Sequence, residues 1–177
     1  MNRVQKLESL TESWLRPLPH LPSSFRKWLA DNAWWLAVIT AFVSAVAALA
    51  ALNGIFSYIS YVGNADSYAG FYVTAPNPTS WLLSSLLGLI YFAAVTVLLA
   101  RAATPLKEHQ RRGWDMVFIV LVLGAAKLVL DALFSFSFFG FIFAIIFGWI
   151  WVAIAAYLLF EVRSYFVKSG HAKPAKK

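Results

Sequence analysis

The chain has 177 residues, of which 60% are hydrophobic and only 13% are charged. A typical soluble domain is about 45–50% apolar and about 25% charged, so this composition predicts a membrane protein. The net charge of +7 is explained by membrane topology and anionic lipid rather than by nucleic acid, and the absence of cysteine excludes disulfides and thiolate sites.

Residues 1–31 are predicted to form an N-terminal segment outside the hydrocarbon. At about 100° per residue, the apolar side chains of residues 4–15 share one side of a helix, Trp14 among them. We expect a short amphipathic interfacial helix anchored by Trp14, and the alternative is a soluble amphipathic helix that contacts the rest of the protein. Prolines that forbid a regular helix come next: Pro17, Pro19 and Pro22.

Four long apolar stretches then predict an all-α integral membrane four-helix bundle over residues 32–161. The spans are expected at about 33–54, 81–100, 116–134 and 138–160. The dipeptide Asn53-Gly54 marks either the end of the first span or a kink, and the sequence leaves open whether the helix continues beyond it. Residues 162–177 form a basic tail.

The Lys and Arg residues outside the spans occur in only three segments of the chain. They precede the first span, separate the second from the third, and follow the fourth. Because cytoplasmic segments collect Lys and Arg, this pattern predicts four spans with the N-terminus, the C-terminus and the middle loop in the cytoplasm. The residues are Arg3, Lys6, Arg16, Arg26, Lys27, Arg101, Lys107, Arg111, Arg112, Arg163, Lys168, Lys173, Lys176 and Lys177.

One basic residue, Lys127, lies inside the third span, one helical turn before Asp131. Residues four apart project from the same face of a helix, so the two charges can neutralise each other. Intramembrane ionisable residues also mark ion, proton or anion sites, which gives a functional alternative to the structural ion pair.

A stripe of small residues at four-residue spacing runs along the fourth span, at Gly140, Ala144 and Gly148. Helices in lipid associate through close approach, so this stripe predicts a packing face. It can serve either the four-helix unit itself or a dimer.

A second group of candidate residues is basic and flanks the spans. Such residues contact anionic headgroups on the cytoplasmic side of a membrane. The candidates for these contacts are Lys107, Arg111, Arg112, Arg163 and Lys168.

Two short motifs carry a resemblance to a known group of proteins. They are residues 161–166, Glu-Val-Arg-Ser-Tyr-Phe, and residues 105–107, Pro-Leu-Lys, together with 111–114, Arg-Arg-Gly-Trp. With these motifs the layout of residues 25–168 resembles small bacterial four-span inner-membrane proteins that have no assigned activity. The resemblance implies a multi-pass protein of the bacterial cytoplasmic membrane, and Lys127 and Asp131 are not part of it.

The sequence therefore favours a non-enzymatic membrane protein that interacts with lipid or with another membrane subunit, including a second copy of itself. The alternative is a small transporter or channel that uses Lys127 and Asp131. The sequence contains no cluster of residues at metal-ligand spacing, no glycine-rich phosphate-binding loop and no nucleophile motif. We therefore expect no cofactor. We also expect no nucleic-acid partner.

Overall fold

The computed structural model describes residues 3–15, 19–63, 78–134 and 138–168. These residues form five α-helices and their connections. The helices are α1 (Arg3–Leu15), α2 (Ser23–Gly63), α3 (Pro78–Lys107), α4 (Arg111–Phe134) and α5 (Phe138–Lys168). The prediction of an all-α protein with four long apolar helices is confirmed for the described part of the chain, where α2 to α5 are each long and apolar enough to cross a membrane.

The four long helices pack in chain order as antiparallel neighbours. Contacts are extensive between α2 and α3, between α3 and α4, and between α4 and α5, whereas α2 touches α5 at few points. The start of α2, the turn between α3 and α4, and the end of α5 therefore lie together, and we call this the basic end of the bundle. The side of the bundle between α2 and α5 is its least closed side, and we call it the seam.

Helix α2 is longer than the predicted first span and has no break at Asn53-Gly54. Its 41 residues correspond to about 60 Å, twice the hydrocarbon thickness of about 30 Å. The helix continues because α3 packs against it at this point: a Cβ added to Gly54 would stand 2.9 Å from Ser85 Oγ. Gly54 thus permits a close helix approach instead of a turn.

A tight turn joins α3 to α4. His109 adopts a left-handed conformation with φ 53°, and the amide of Gln110 donates to the carbonyl of Pro105 at 2.8 Å. A Cβ added to Gly113 would stand 2.7 Å from the Leu106 nitrogen, so only glycine fits where α4 crosses the end of α3. The His109 ring stacks on Phe166 of α5, with the ring centroids 5.6 Å apart.

The most deeply buried side chains lie near the basic end. Trp114 stacks on Phe118 at 5.4 Å between ring centroids, and its indole N–H donates to the Leu159 carbonyl at 2.9 Å. Farther along the helices, large apolar side chains cover the outside of the bundle, as expected where lipid replaces water. Strongly exposed examples are Phe42, Ile90, Leu133 and Trp151.

Candidate functional site

Lys127 and Asp131 form an ion pair along one side of α4, with Lys127 Nζ 2.5 Å from Asp131 Oδ2. Both side chains are partly exposed, at 20% for Lys127 and 35% for Asp131. Helix periodicity alone produces this contact, because the two residues are one turn apart.

Helix α3 supplies aromatic neighbours to this pair. Lys127 Nζ lies 5.6 Å from the centroid of the Tyr91 ring and 5.8 Å from that of Phe92, both within cation–π range. A Cβ added to Gly124 would stand 3.2 Å from the Tyr91 hydroxyl oxygen, so this glycine leaves space for the tyrosine. The ammonium is thus held by one carboxylate and two rings, an arrangement that stabilises a partly buried cation.

A larger charged cluster lies at the basic end and joins α1 to the bundle. Arg111 of α4 donates to both carboxylate oxygens of Glu8, at 3.1 and 3.2 Å. Arg163 of α5 lies 2.5 Å from Glu8 Oε1 and donates to Glu12 Oε2 at 2.6 Å. Asp115 also pairs with Arg111, at 3.6 Å. We call these five side chains the α1 clamp.

The clamp buries Glu8, whose side chain is only 5% exposed. It also leaves the apolar side of α1 exposed beside α4 and α5, with Leu7, Leu10 and Trp14 uncovered and Trp14 exposed to 82%. At about 100° per residue, the side chains of α1 fall on three sides of the helix. Glu8 and Glu12 lie against the bundle, Ser9 and Ser13 occupy the neighbouring side, and the apolar residues occupy the third. The helix therefore binds the bundle on one side and presents an exposed apolar surface on another.

A second buried carboxylate, Glu161 of α5, holds the connection between α1 and α2. Its Oε1 lies 2.7 Å from His20 Nδ1, and its Oε2 accepts the Leu21 amide at 3.2 Å. Arg26 of α2 pairs with the same carboxylate at 3.6 Å. The Tyr157 hydroxyl, one turn earlier on α5, donates to the Pro19 carbonyl at 2.5 Å.

The predicted headgroup residues occupy different surroundings at the basic end. Arg111 and Arg163 belong to the α1 clamp, so carboxylates of the protein already accompany their charges. The Lys107 ammonium lies 5.2 Å from the centroid of the Trp34 ring, and Arg112 is exposed. The side chain of Lys168 lies outside the described part. Headgroup binding by these residues stays a prediction.

The small-residue stripe can be assessed at one position, because the surroundings of Gly140 and Ala144 lie outside the described part. Gly148 packs against Leu128 of α4. A Cβ at residue 148 would overlap Leu128 Cδ1 and stand 3.0 Å from its Cγ. At this position the stripe serves contact within the bundle.

Two of the cavities lined by described residues are apolar and open on the sides of the bundle. The first, the seam cleft, has a volume of about 400 Å³ and lies between α2 and α5, with α3 and α4 behind it. The second, the α1 groove, has about 600 Å³ and runs between α4 and α5 beneath Leu10, Thr11 and Trp14 of α1. Lys127 and Asp131 line neither of these two cavities.

Sequence reasoning missed the roles of Glu8, Glu12 and Glu161. A signal for the first two was present, since they lie four residues apart on the side of α1 opposite its apolar residues. Their basic partners are more than 100 residues away in sequence, so their partners could not be read from local spacing. Among the described residues, no group of three or more His, Asp or Glu side chains could hold a metal ion.

No protein-family model, curated protein or solved structure matches this chain. The resemblance to small bacterial four-span proteins therefore stays a prediction.

Proposed function

We propose that this protein is a small, non-enzymatic, multi-pass membrane protein that engages lipid at its basic end, which faces the cytoplasm of a bacterium. The observation that carries the proposal is the way α1 is held. Its acids bind Arg111 and Arg163, while Leu10 and Trp14 are left exposed beside the lipid-facing sides of α4 and α5. The helix is thereby fixed with its apolar side toward the hydrocarbon.

The energetics support this placement. Leaving apolar surface in water costs about 25 cal/mol per Å², and a tryptophan side chain is among the largest surfaces a protein can bury. Trp14 is also a residue type that favours the membrane–water interface. A bilayer covers this surface without a further protein partner, which favours lipid engagement over a second membrane subunit.

The transport alternative needs a polar path to Lys127. The Lys127 ammonium is accompanied by Asp131, Tyr91 and Phe92, and this local neutralisation favours a structural ion pair over transport. We therefore assign the pair a structural role in this proposal.

The test uses the absence of native cysteine, which makes an introduced thiol unique. Trp14→Cys and, as its matched control, Ser13→Cys are spin-labelled in bilayers that contain anionic lipid. Both positions are exposed in the structure, but they point about 100° apart around α1. We expect position 14 to collide more with lipid-soluble oxygen and position 13 more with a water-soluble nickel chelate.

Greater access of the nickel reagent to position 14 than to position 13 would overturn the proposal. Protection of position 14 from both reagents would indicate that a second protein subunit or a second copy of the chain, and not lipid, covers this side of α1.

A further inference from the structure

The seam cleft has walls from all four long helices. Small residues on α2, Ala33 and Ala37, face Ala155 of α5 across it, and Trp114 lies at its inner wall. Because α2 and α5 touch at few points, these small side chains leave an open slot instead of a closed interface. A volume of about 400 Å³ is in the usual range of ligand-binding cavities, about 300–1,000 Å³.

The lining of the cleft offers almost no hydrogen bond to an occupant. Its polar side chains are Thr40, whose hydroxyl donates to the Leu36 carbonyl at 2.8 Å, and Trp114, whose N–H donates to Leu159. Both donors are used within the protein. A polar solute would lose its hydration here without compensation, so the chemistry of the cleft selects a hydrocarbon.

The mouth of the cleft faces sideways. Leu36 and Ala155 line it and are exposed, so the slot opens on the flank of helices that are long enough to span a membrane. In a bilayer this flank meets acyl chains. An extended acyl chain fills a slot of this volume more completely than an α-helix does, because a helix with its side chains is about 10–12 Å wide.

Charged groups lie at one end of the slot. Arg26 is one turn before Leu29 on α2, and Glu161 is one turn after Leu158 on α5; both leucines line the cleft. Arg26 pairs with Glu161 across the seam through its buried Nε, which lies 3.6 Å from Glu161 Oε2, just beyond hydrogen-bond distance. Lys27 is exposed beside it, while His20 contacts Glu161. Arg26 and Lys27 outnumber Glu161 at this end of the slot, and Asp31, one turn after Lys27, is paired with His109. This end therefore favours an anion.

We propose that the seam cleft binds one acyl chain of an anionic phospholipid, with its phosphate at Arg26. The inference rests on the proposed membrane placement and adds a defined lipid site to it. It is separate from the α1 groove, where lipid contacts α1, α4 and α5.

Two substitutions on α5 separate the two cavities. Ala155→Phe fills the seam cleft and Ala153→Phe fills the α1 groove; both alanines are exposed, so each variant tolerates the added ring. The protein is reconstituted with phosphatidylglycerol, extracted in mild detergent, and analysed by native mass spectrometry for retained lipid. Size-exclusion elution and helix content identify folded samples.

We expect Ala155→Phe to lower the retained phosphatidylglycerol about tenfold and Ala153→Phe to leave it unchanged. A phosphatidylglycerol with a photoreactive acyl chain should label α2 near Ala37 in the parent and much less in Ala155→Phe. Retention that is insensitive to Ala155→Phe, or lost only in Ala153→Phe, would overturn the inference.

The position of the phosphate is tested with the variant Arg26→Gln, and Lys27→Gln is its matched control. Arg26→Gln should remove the preference for phosphatidylglycerol over phosphatidylcholine, while Lys27→Gln should reduce it less. Equal losses in both would show general attraction to a basic surface and contradict a phosphate bound at Arg26. If position 14 reports lipid while Ala155→Phe changes nothing, the cleft inference fails and the proposed function stands.

Discussion

Lys127 and Asp131 illustrate how a charge can be accommodated among apolar helices. A charge at the centre of a span costs about 2.5–3.5 kcal/mol on insertion scales, so an adjacent opposite charge is the simplest compensation. The structure adds two α3 rings to this local solution, with Tyr91 5.6 Å and Phe92 5.8 Å from the ammonium. The spacing of the two residues was evident in the sequence, whereas the rings were not, because they come from another helix.

Removing one member of this pair should destabilise the bundle. Lys127→Leu leaves an unpaired acid and Asp131→Leu an unpaired base, each expected to cost about 1–3 kcal/mol. The double change to Leu removes both desolvation costs and should be near neutral or stabilising. The free energy of unfolding of the three variants and of the parent, measured in detergent, tests this expectation. Single variants as stable as the parent would mean that water or separate partners satisfy each charge.

Gly148 sets the distance between α4 and α5. Gly148→Leu should destabilise the bundle by about 1–3 kcal/mol, because the new side chain would overlap Leu128. The smaller substitution Gly148→Ala should also lower the stability of the bundle. The double variant Gly148→Ala with Leu128→Ala should recover part of that stability, because the shortened residue 128 makes room for the new Cβ. Gly88→Ala is the control, since its Cβ would meet Ala51 at an ordinary 3.6 Å. Equal stability of Gly148→Leu and the parent would place the stripe outside the α4–α5 contact.

At the scale of the elements, the sequence predicted α1 and its apolar side, and the structure begins α1 at Arg3 and ends it at Leu15. It could not predict how α1 docks, because the partners of Glu8 are Arg111 and Arg163, far along the chain. Similarly, Asn53-Gly54 has turn-forming character, but the tertiary contact with Ser85 keeps α2 helical there. Local signals define an element, and contacts between elements decide its end and orientation.

The α1 clamp predicts that one carboxylate dominates the docking of α1. Glu8→Gln removes the charge that Arg111 and Arg163 share and should raise amide hydrogen exchange in residues 3–15 about tenfold or more, which corresponds to about 1.4 kcal/mol. Glu12→Gln is the matched control, since Glu12 is 46% exposed and bonds Arg163. Its effect should be smaller. A larger effect of Glu12→Gln than of Glu8→Gln would contradict the assignment.

At the scale of the whole molecule, contacts at the basic end restrict how the chain can cross a membrane. His109 reaches Asp31 at 3.2 Å, Glu161 binds His20 and Arg26, and Arg163 binds α1. The start of α2, the α3–α4 turn and the end of α5 therefore lie on one side together. Four antiparallel spans with one common end leave two topologies, and the distribution of Lys and Arg favours the one with this end in the cytoplasm.

Cysteine labelling distinguishes these two topologies. A membrane-impermeant thiol reagent applied to intact bacterial cells should react with Asp66→Cys, in the connection between α2 and α3, and spare Glu108→Cys until the cells are opened. Glu108 is exposed at the α3–α4 turn, so the expected lack of reaction would report the membrane barrier rather than burial. Basic residues resist translocation while the α2–α3 connection carries none, which is the physical reason for the expected pattern. Labelling of position 108 from outside with position 66 protected would invert the topology. It would also move the α1 clamp and the proposed lipid site to the outer leaflet, because both are fixed to the basic end.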